Sequence, residues 1–194
     1  MKKKNSFIKT ITLVVFFVSI ILIYVSHLSD KNAYKKTKPD KEELEYLLNY
    51  DMLNDYPKSA RDVVKLHCRY SKLIYGCNVD EDVISIVCSK MRQLYSQELL
   101  AYNPAANAVQ RMKRDIDNME KEEAVYRSFA VPEASQILYY KQYDKDMASM
   151  EVTVTMGAME NAGYYYQQYV LVKEGGYWKI LAWGDSKMGI NHKD

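Results

Sequence analysis

Apolar residues recur at helical spacing through the first two-thirds of the chain, then switch to alternation after Tyr126. KEELEYLLNYDML places Leu44, Leu47, Leu48 and Met52 on one stripe, which predicts a short amphipathic helix. Tyr56-Pro57 interrupts it, and Pro57 suits the first turn of a second helix. In SARDVVKLHCRYSKLIYG, the residues Val63, Leu66, His67, Tyr70, Leu73 and Ile74 share a face, with Gly76 as the stop. Asp80 opens a third helix, DEDVISIVCSKMRQLYSQELL, whose stripe is Ile84, Val87, Met91 and Leu94 and whose end is Asn103-Pro104. A fourth segment, AANAVQRMKRDIDNMEKEEAVY, is strongly charged, with Val109, Met112, Ile116 and Met119 as a thinner stripe.

Four alternating runs follow: QILYYKQY, MEVTVTMGAM, YYYQQYVLVKE and GYWKILAW. Asp144-Lys145-Asp146, Glu160-Asn161-Ala162-Gly163 and Gly175-Gly176 separate them. Links this short favour an antiparallel meander, and helices followed by strands indicate an α+β fold. With Gly175-Gly176 as a two-residue loop, Glu174 pairs with Tyr177 and Lys173 with Trp178. One face then carries Tyr165, Gln167, Tyr169, Leu171, Trp178, Ile180 and Ala182. The other carries Tyr166, Gln168, Val170, Val172, Lys179, Leu181 and Trp183. Both faces are substantially apolar, so the pattern alone does not choose the inside.

Ahead of these elements, residues 10–29 (TITLVVFFVSIILIYVSHLS) hold no charged residue between Lys9 and Asp30. About twenty residues at 1.5 Å each match the ~30 Å hydrocarbon core of a bilayer. The run is longer than a secretory h-region and lacks a small-x-small cleavage site, so it is expected to be an uncleaved, single-span signal anchor. Lys2, Lys3, Lys4 and Lys9 precede it, but five more Lys follow within a dozen residues, so the positive-inside balance is nearly even. A short Lys-rich N-terminus tends to stay in the cytoplasm. The expected layout is therefore a cytoplasmic tail (1–9), the span (10–29), a juxtamembrane linker with a short helix (30–56), an extracytoplasmic domain (57–186) and a tail (187–194).

Charge sharpens this division. The 194 residues carry a net charge of +2, yet from Glu42 onward 18 Lys and Arg face 23 Asp and Glu. The predicted domain is mildly acidic and has no basic stripe, which argues against nucleic acid as a partner.

Candidate chemistry is sparse. Cys68, Cys77 and Cys88 form no CxxC pair and no His-partnered metal pattern. Cys68 and Cys88 sit about equally far from a turn near Asn78 and could face each other in a helical hairpin, but an odd count argues against a disulfide framework and the favoured reading is buried, reduced thiols. Asp80-Glu81-Asp82 and Asp144/Asp146 lack the spacing of a calcium loop. The scattered methionines read as core filler, and no nucleophile elbow or phosphate loop is present. His67 is the sole histidine of the predicted domain, since His27 and His192 are peripheral. No metal or cofactor site is expected.

A helical half followed by a meander ending in GGYWKILAW resembles the NTF2-like (cystatin-like) α+β cone, with Trp178 as its terminal-strand tryptophan. More of the chain is similar to an uncharacterised family of membrane-anchored proteins from Gram-positive anaerobes. Tyr56-Pro57, Glu98-Leu99-Leu100, Asn103-Pro104 and Trp178 to Leu181 carry that likeness. The resemblance implies four curved antiparallel strands under helices. It also implies that a His or Asp in the cone acts as base in the enzymes of the fold. His67 has no carboxylate partner on its own helix face, so a non-enzymatic binding module with an envelope partner or ligand is the leading expectation. An assembly subunit of a conjugation or secretion complex is the alternative, and an isomerase- or dehydratase-type enzyme the third. His67, Tyr70, Tyr169, Trp178 and Ile180 are the pocket candidates. Tyr166, Leu181 and Trp183 are the interface candidates, on the opposite face.

Overall fold

A computed structural model describes residues 35–157 and 163–186. The anchor run 10–29, its orientation and the tail 187–194 lie outside the described residues. Among the described residues, no helix is long and apolar enough to cross a membrane.

The fold is α+β. Its helices are α1 (Lys41–Asn49), α2 (Ala60–Gly76), α3 (Glu81–Gln93), α4 (Gln97–Tyr102) and α5 (Ala108–Lys121). Its strands are β1 (Val125–Ala130), β2 (Leu138–Gln142), β3 (Lys145–Gly157), β4 (Gly163–Glu174) and β5 (Tyr177–Asp185), all paired antiparallel in one sheet. β4 and β5 lie in order on one edge of β3; β1 and β2 share its other edge, end to end.

α2 is the centre of the core. Val63, Val64, Leu66, Cys68, Tyr70, Leu73 and Ile74 are all buried, which is more of its circumference than the predicted stripe. The Ser59 hydroxyl starts the helix by accepting from the Asp62 backbone N–H at 3.1 Å. Across the interface, Ala148, Met150, Val152, Val154, Tyr169, Leu171 and Ile180 of β3, β4 and β5 are buried with it.

α1 belongs to this core rather than to a linker, which moves the start of the domain ahead of residue 57. Leu47 is fully buried, and the Tyr70 hydroxyl donates to the Leu47 carbonyl at 3.0 Å. Arg69 adds a two-pronged contact to Glu43, with Nε to Oε1 at 2.8 Å and Nη2 to Oε2 at 2.6 Å. These hydrogen bonds from Arg69 hold the Glu43 carboxyl below its usual range. Farther back, Thr37 pairs with Cys77 in a parallel bridge.

Three expectations are corrected. The third helix stops at Gln93, because Leu94–Ser96 leave to pair with β5 and Ser96 caps the separate α4. The fourth helix stops at Lys121, because Glu123 takes a left-handed conformation (φ 51°) and turns the chain out of the helix. Residues Val125–Ala130 therefore form a strand, and the sheet has five strands rather than four. The Gly175-Gly176 hairpin has the expected pairs, Glu174 with Tyr177 and Lys173 with Trp178, and both glycines have positive φ.

The contact of α2 with β1 sets how closely helix and sheet approach. A Cβ on Gly76 would lie 2.2 Å from the Tyr126 carbonyl oxygen, a backbone atom with little room to yield. Gly76→Ala is expected to lower the unfolding free energy by about 1–3 kcal/mol, the usual scale of overpacking. Urea denaturation checks it; an unchanged midpoint would show that helix and strand separate freely.

Candidate functional site

His67 lies near the middle of α2 and is 1% exposed. A buried imidazole needs partners for both ring nitrogens. Nδ1 lies 3.0 Å from the Tyr169 hydroxyl on β4, and Nε2 lies 3.4 Å from the Tyr95 hydroxyl between α3 and α4. The Tyr169 hydroxyl also meets Cys68 Sγ at 3.7 Å. Desolvation, with no charged partner to oppose it, pulls the His67 pKa down to about 3. Burial likewise pushes the Cys68 thiol up to about 11 and both tyrosine hydroxyls upward. At neutral pH the whole cluster is uncharged.

Trp183 completes the cluster, against expectation. The pairing shifts between Val170↔Ala182 and Leu171↔Ile180, which leaves Leu181 as an extra residue in β5. Beyond that bulge the parity inverts, so Trp183 pairs with Tyr169 on the helix-facing side. Its ring centroid lies 4.8 Å from His67, 5.2 Å from Tyr95 and 6.4 Å from Tyr169. These spacings are those of edge-to-face and offset aromatic pairs. Trp183 remains 38% exposed.

Two adjoining hollows open beside this cluster and share Cys88, Arg92, Tyr95 and Ala108 in their walls. The smaller, about 200 Å³, reaches His67, Ser71, Tyr75, Arg111, Asp115 and Trp183. The larger, about 740 Å³, runs past Met52, Tyr56, Leu100 and Val109 to Glu174 and Lys179. Its polar rim is held from several elements. Glu174 Oε2 accepts from the Gln97 backbone N–H at 3.1 Å. Lys179 Nζ donates to the Gln93 carbonyl at 2.8 Å and sits 4.1 Å over the Tyr56 ring. The Tyr56 hydroxyl in turn donates to the Trp178 carbonyl at 2.8 Å.

Of the pocket candidates, only His67 lines either hollow. Tyr70, Tyr169 and Ile180 are fully buried in the core, and Trp178 packs half-buried against Tyr139 at 5.7 Å. Of the interface candidates, Trp183 lines the smaller hollow instead of facing away from the helices, Leu181 is the bulge residue, and Tyr166 stays on the outer face. Tyr95, Arg92 and Arg111 escaped the sequence reading. A clue was available for Tyr95 in Ser96-Gln97-Glu98, which has the form of a helix start. Cys68, Cys77 and Cys88 are all free thiols.

The chain belongs to the family described as a domain of unknown function (DUF6715), which matches residues 1–183. No curated protein matches it. Among solved structures it is similar to the solution structure of TraH from the Gram-positive conjugative plasmid pIP501, at 11% identity over 79% of this chain and 98% of that one, with a TM-score of 0.35.

The His67 environment makes stability depend on pH. A histidine whose folded pKa lies below its unfolded value stabilises the fold fully above the unfolded pKa of about 6.5 and progressively less as pH falls towards the folded one. From pH 6.5 to 5, the loss from this residue is expected to average about 1 kcal/mol per pH unit, approaching ~1.4 as the unfolded histidine becomes fully protonated. Urea unfolding of the wild type at both values measures the slope, and His67→Gln is expected to remove it. A slope retained in H67Q would assign the effect elsewhere.

Proposed function

We propose that this DUF6715 protein is a membrane-anchored binding module whose domain lies outside the cytoplasm, and that the joined hollows are its ligand site. The observation that carries this reading is the cleft: a concave, part-apolar and part-polar wall that sets aromatic rings beside fixed polar groups, with a volume in the range of small-molecule sites. The uncharged run 10–29, flanked by lysines, supports the anchor. Helices laid on one face of an antiparallel meander agree with an NTF2-like cone, and in that description the cleft is the mouth of the cone.

We read the module as non-enzymatic. The His67 nitrogens are directed at tyrosine hydroxyls, and a ring that stays neutral to about pH 3 is a weak proton acceptor at pH 7. A catalytic base of the His type needs a partner that orients and charges it, which hydroxyls do poorly.

Two measurements test the reading. Tyr143→Cys at an exposed turn, in a Cys77→Ser background, is expected to react with a membrane-impermeant maleimide in intact cells. Labelling only after lysis would place the domain in the cytoplasm. For the cleft, fluorine NMR with a fragment library is expected to find binders of the full chain in lipid nanodiscs. Ser89→Trp, in the cleft wall, removes them and Tyr143→Trp does not. Binders indifferent to S89W would refute the site.

A further inference from the structure

Two arginines from different helices converge on one turn of the smaller hollow. Arg92 Nη1 of α3 donates to the Asn103 carbonyl at 2.6 Å, and Arg111 Nη2 of α5 donates to the Pro104 carbonyl at 3.0 Å. The Asn103-Pro104 break thus fixes both guanidiniums through consecutive carbonyls. Each guanidinium has five N–H donors, so each keeps donors to spare. Both side chains are half-buried and line the hollow. Among the described residues neither has a carboxylate within ion-pair distance.

Their fields overlap inside the hollow, since the Cys88 thiol, raised by burial, is drawn downward by Arg92 and by Arg111. Asp115 also lines the hollow and acts on the Tyr75 hydroxyl. Two guanidiniums against one carboxylate leave the wall with one excess positive charge. Next to that charge stand uncharged rings, Trp183, Tyr95 and neutral His67. Half-buried cations without counter-ions are costly; a planar donor fork matches carboxylate and phosphate alike, and a single excess positive charge beside apolar rings selects the singly charged carboxylate.

Resting on the reading of the cleft as a ligand site, we propose that it takes a carboxylate carried on an apolar or aromatic body. Arg92 and Arg111 hold the acid group, and the ring wall of Trp183 and Tyr95 holds the body. The same chemistry is offered by a small free acid and by the C-terminal end of a peptide with an aromatic last residue, and the larger hollow gives a peptide room to continue.

Four probes separate these cases on the full chain in nanodiscs, followed by tryptophan fluorescence. They are 3-phenylpropionate, its amide, the peptide Ala-Ala-Ala-Phe with a free C-terminus, and the same peptide amidated. An acid is expected to bind roughly tenfold or more tighter than its amide, the scale of a charge-assisted contact. The double variant R92Q/R111Q is expected to erase that preference, while R114Q, an exposed arginine on the same helix, retains it. Binding of both acids makes the site one for small acids as well; binding of the free peptide alone assigns it to C-termini. Equal binding of acid and amide, no binding by any of the four, or an undiminished preference in R92Q/R111Q would overturn the inference. The fragment result with S89W decides separately whether the cleft is a site at all.

Discussion

Everything in this domain is arranged around a helix that keeps only a narrow stripe, Lys65, Arg69 and Lys72, for water. α2 meets the sheet on one side and other helices on its flanks, and ten of its fourteen residues from Val63 to Gly76 are buried. Enclosure of that kind is favourable for Val, Leu and Ile, whose transfer from water contributes about 1.5–3 kcal/mol each. It is demanding for anything polar on the same helix. Tyr70, Ser71 and His67 must each find a partner inside the protein, and they do so at the Leu47 carbonyl, the His67 carbonyl and the Tyr169 and Tyr95 hydroxyls. Those polar contacts fix where α1, β4 and the α3–α4 connection sit relative to α2. Packing supplies the stability, and the buried polar groups select one arrangement among the packings an apolar core would accept.

The cleft follows from two departures from regularity in neighbouring elements. α3 ends early so that Ser96 N–H donates to the Ile180 carbonyl and Ile180 N–H donates to the Leu94 carbonyl, both at 2.8 Å. That detour carries Tyr95 over the end of β5. The bulge at Leu181 turns Trp183 towards the same place. Neither ring would meet His67 if helix and strand continued unbroken. The hollows are the space left where α3, α4 and α5 do not close over these rings.

Sequence patterning conveyed the α+β order, the α2 stripe and the Gly-Gly hairpin, because each rests on local chemistry: helical period, alternation and turn residues. It missed β1, because six residues after a charged helix offered too short a run to oppose the helical reading, and the reversal depends on the backbone at Glu123. It placed Trp183 on the wrong face for a different reason. Parity arguments assume an unbroken ladder, and one additional residue inverts every assignment beyond it. Of the site, His67 was visible as the lone histidine on an apolar face. Arg92 and Arg111 were not, since a charged residue on a helix reads as solvated surface until the tertiary fold brings a second helix and the Asn103-Pro104 turn beside it.

The pairing of Leu94–Ser96 with Ile180 has a bearing on how copies of this protein behave towards one another. β5 ends the sheet, and an open outer strand offers unpaired N–H and C=O groups to any other extended chain. Here the middle of that edge is already occupied by the protein's own backbone at Ile180, with the cation of Lys179 beside it. The same short detour that positions Tyr95 thus blocks the register through which a second molecule would extend the sheet. That gives the β5 edge a built-in guard against edge-to-edge aggregation.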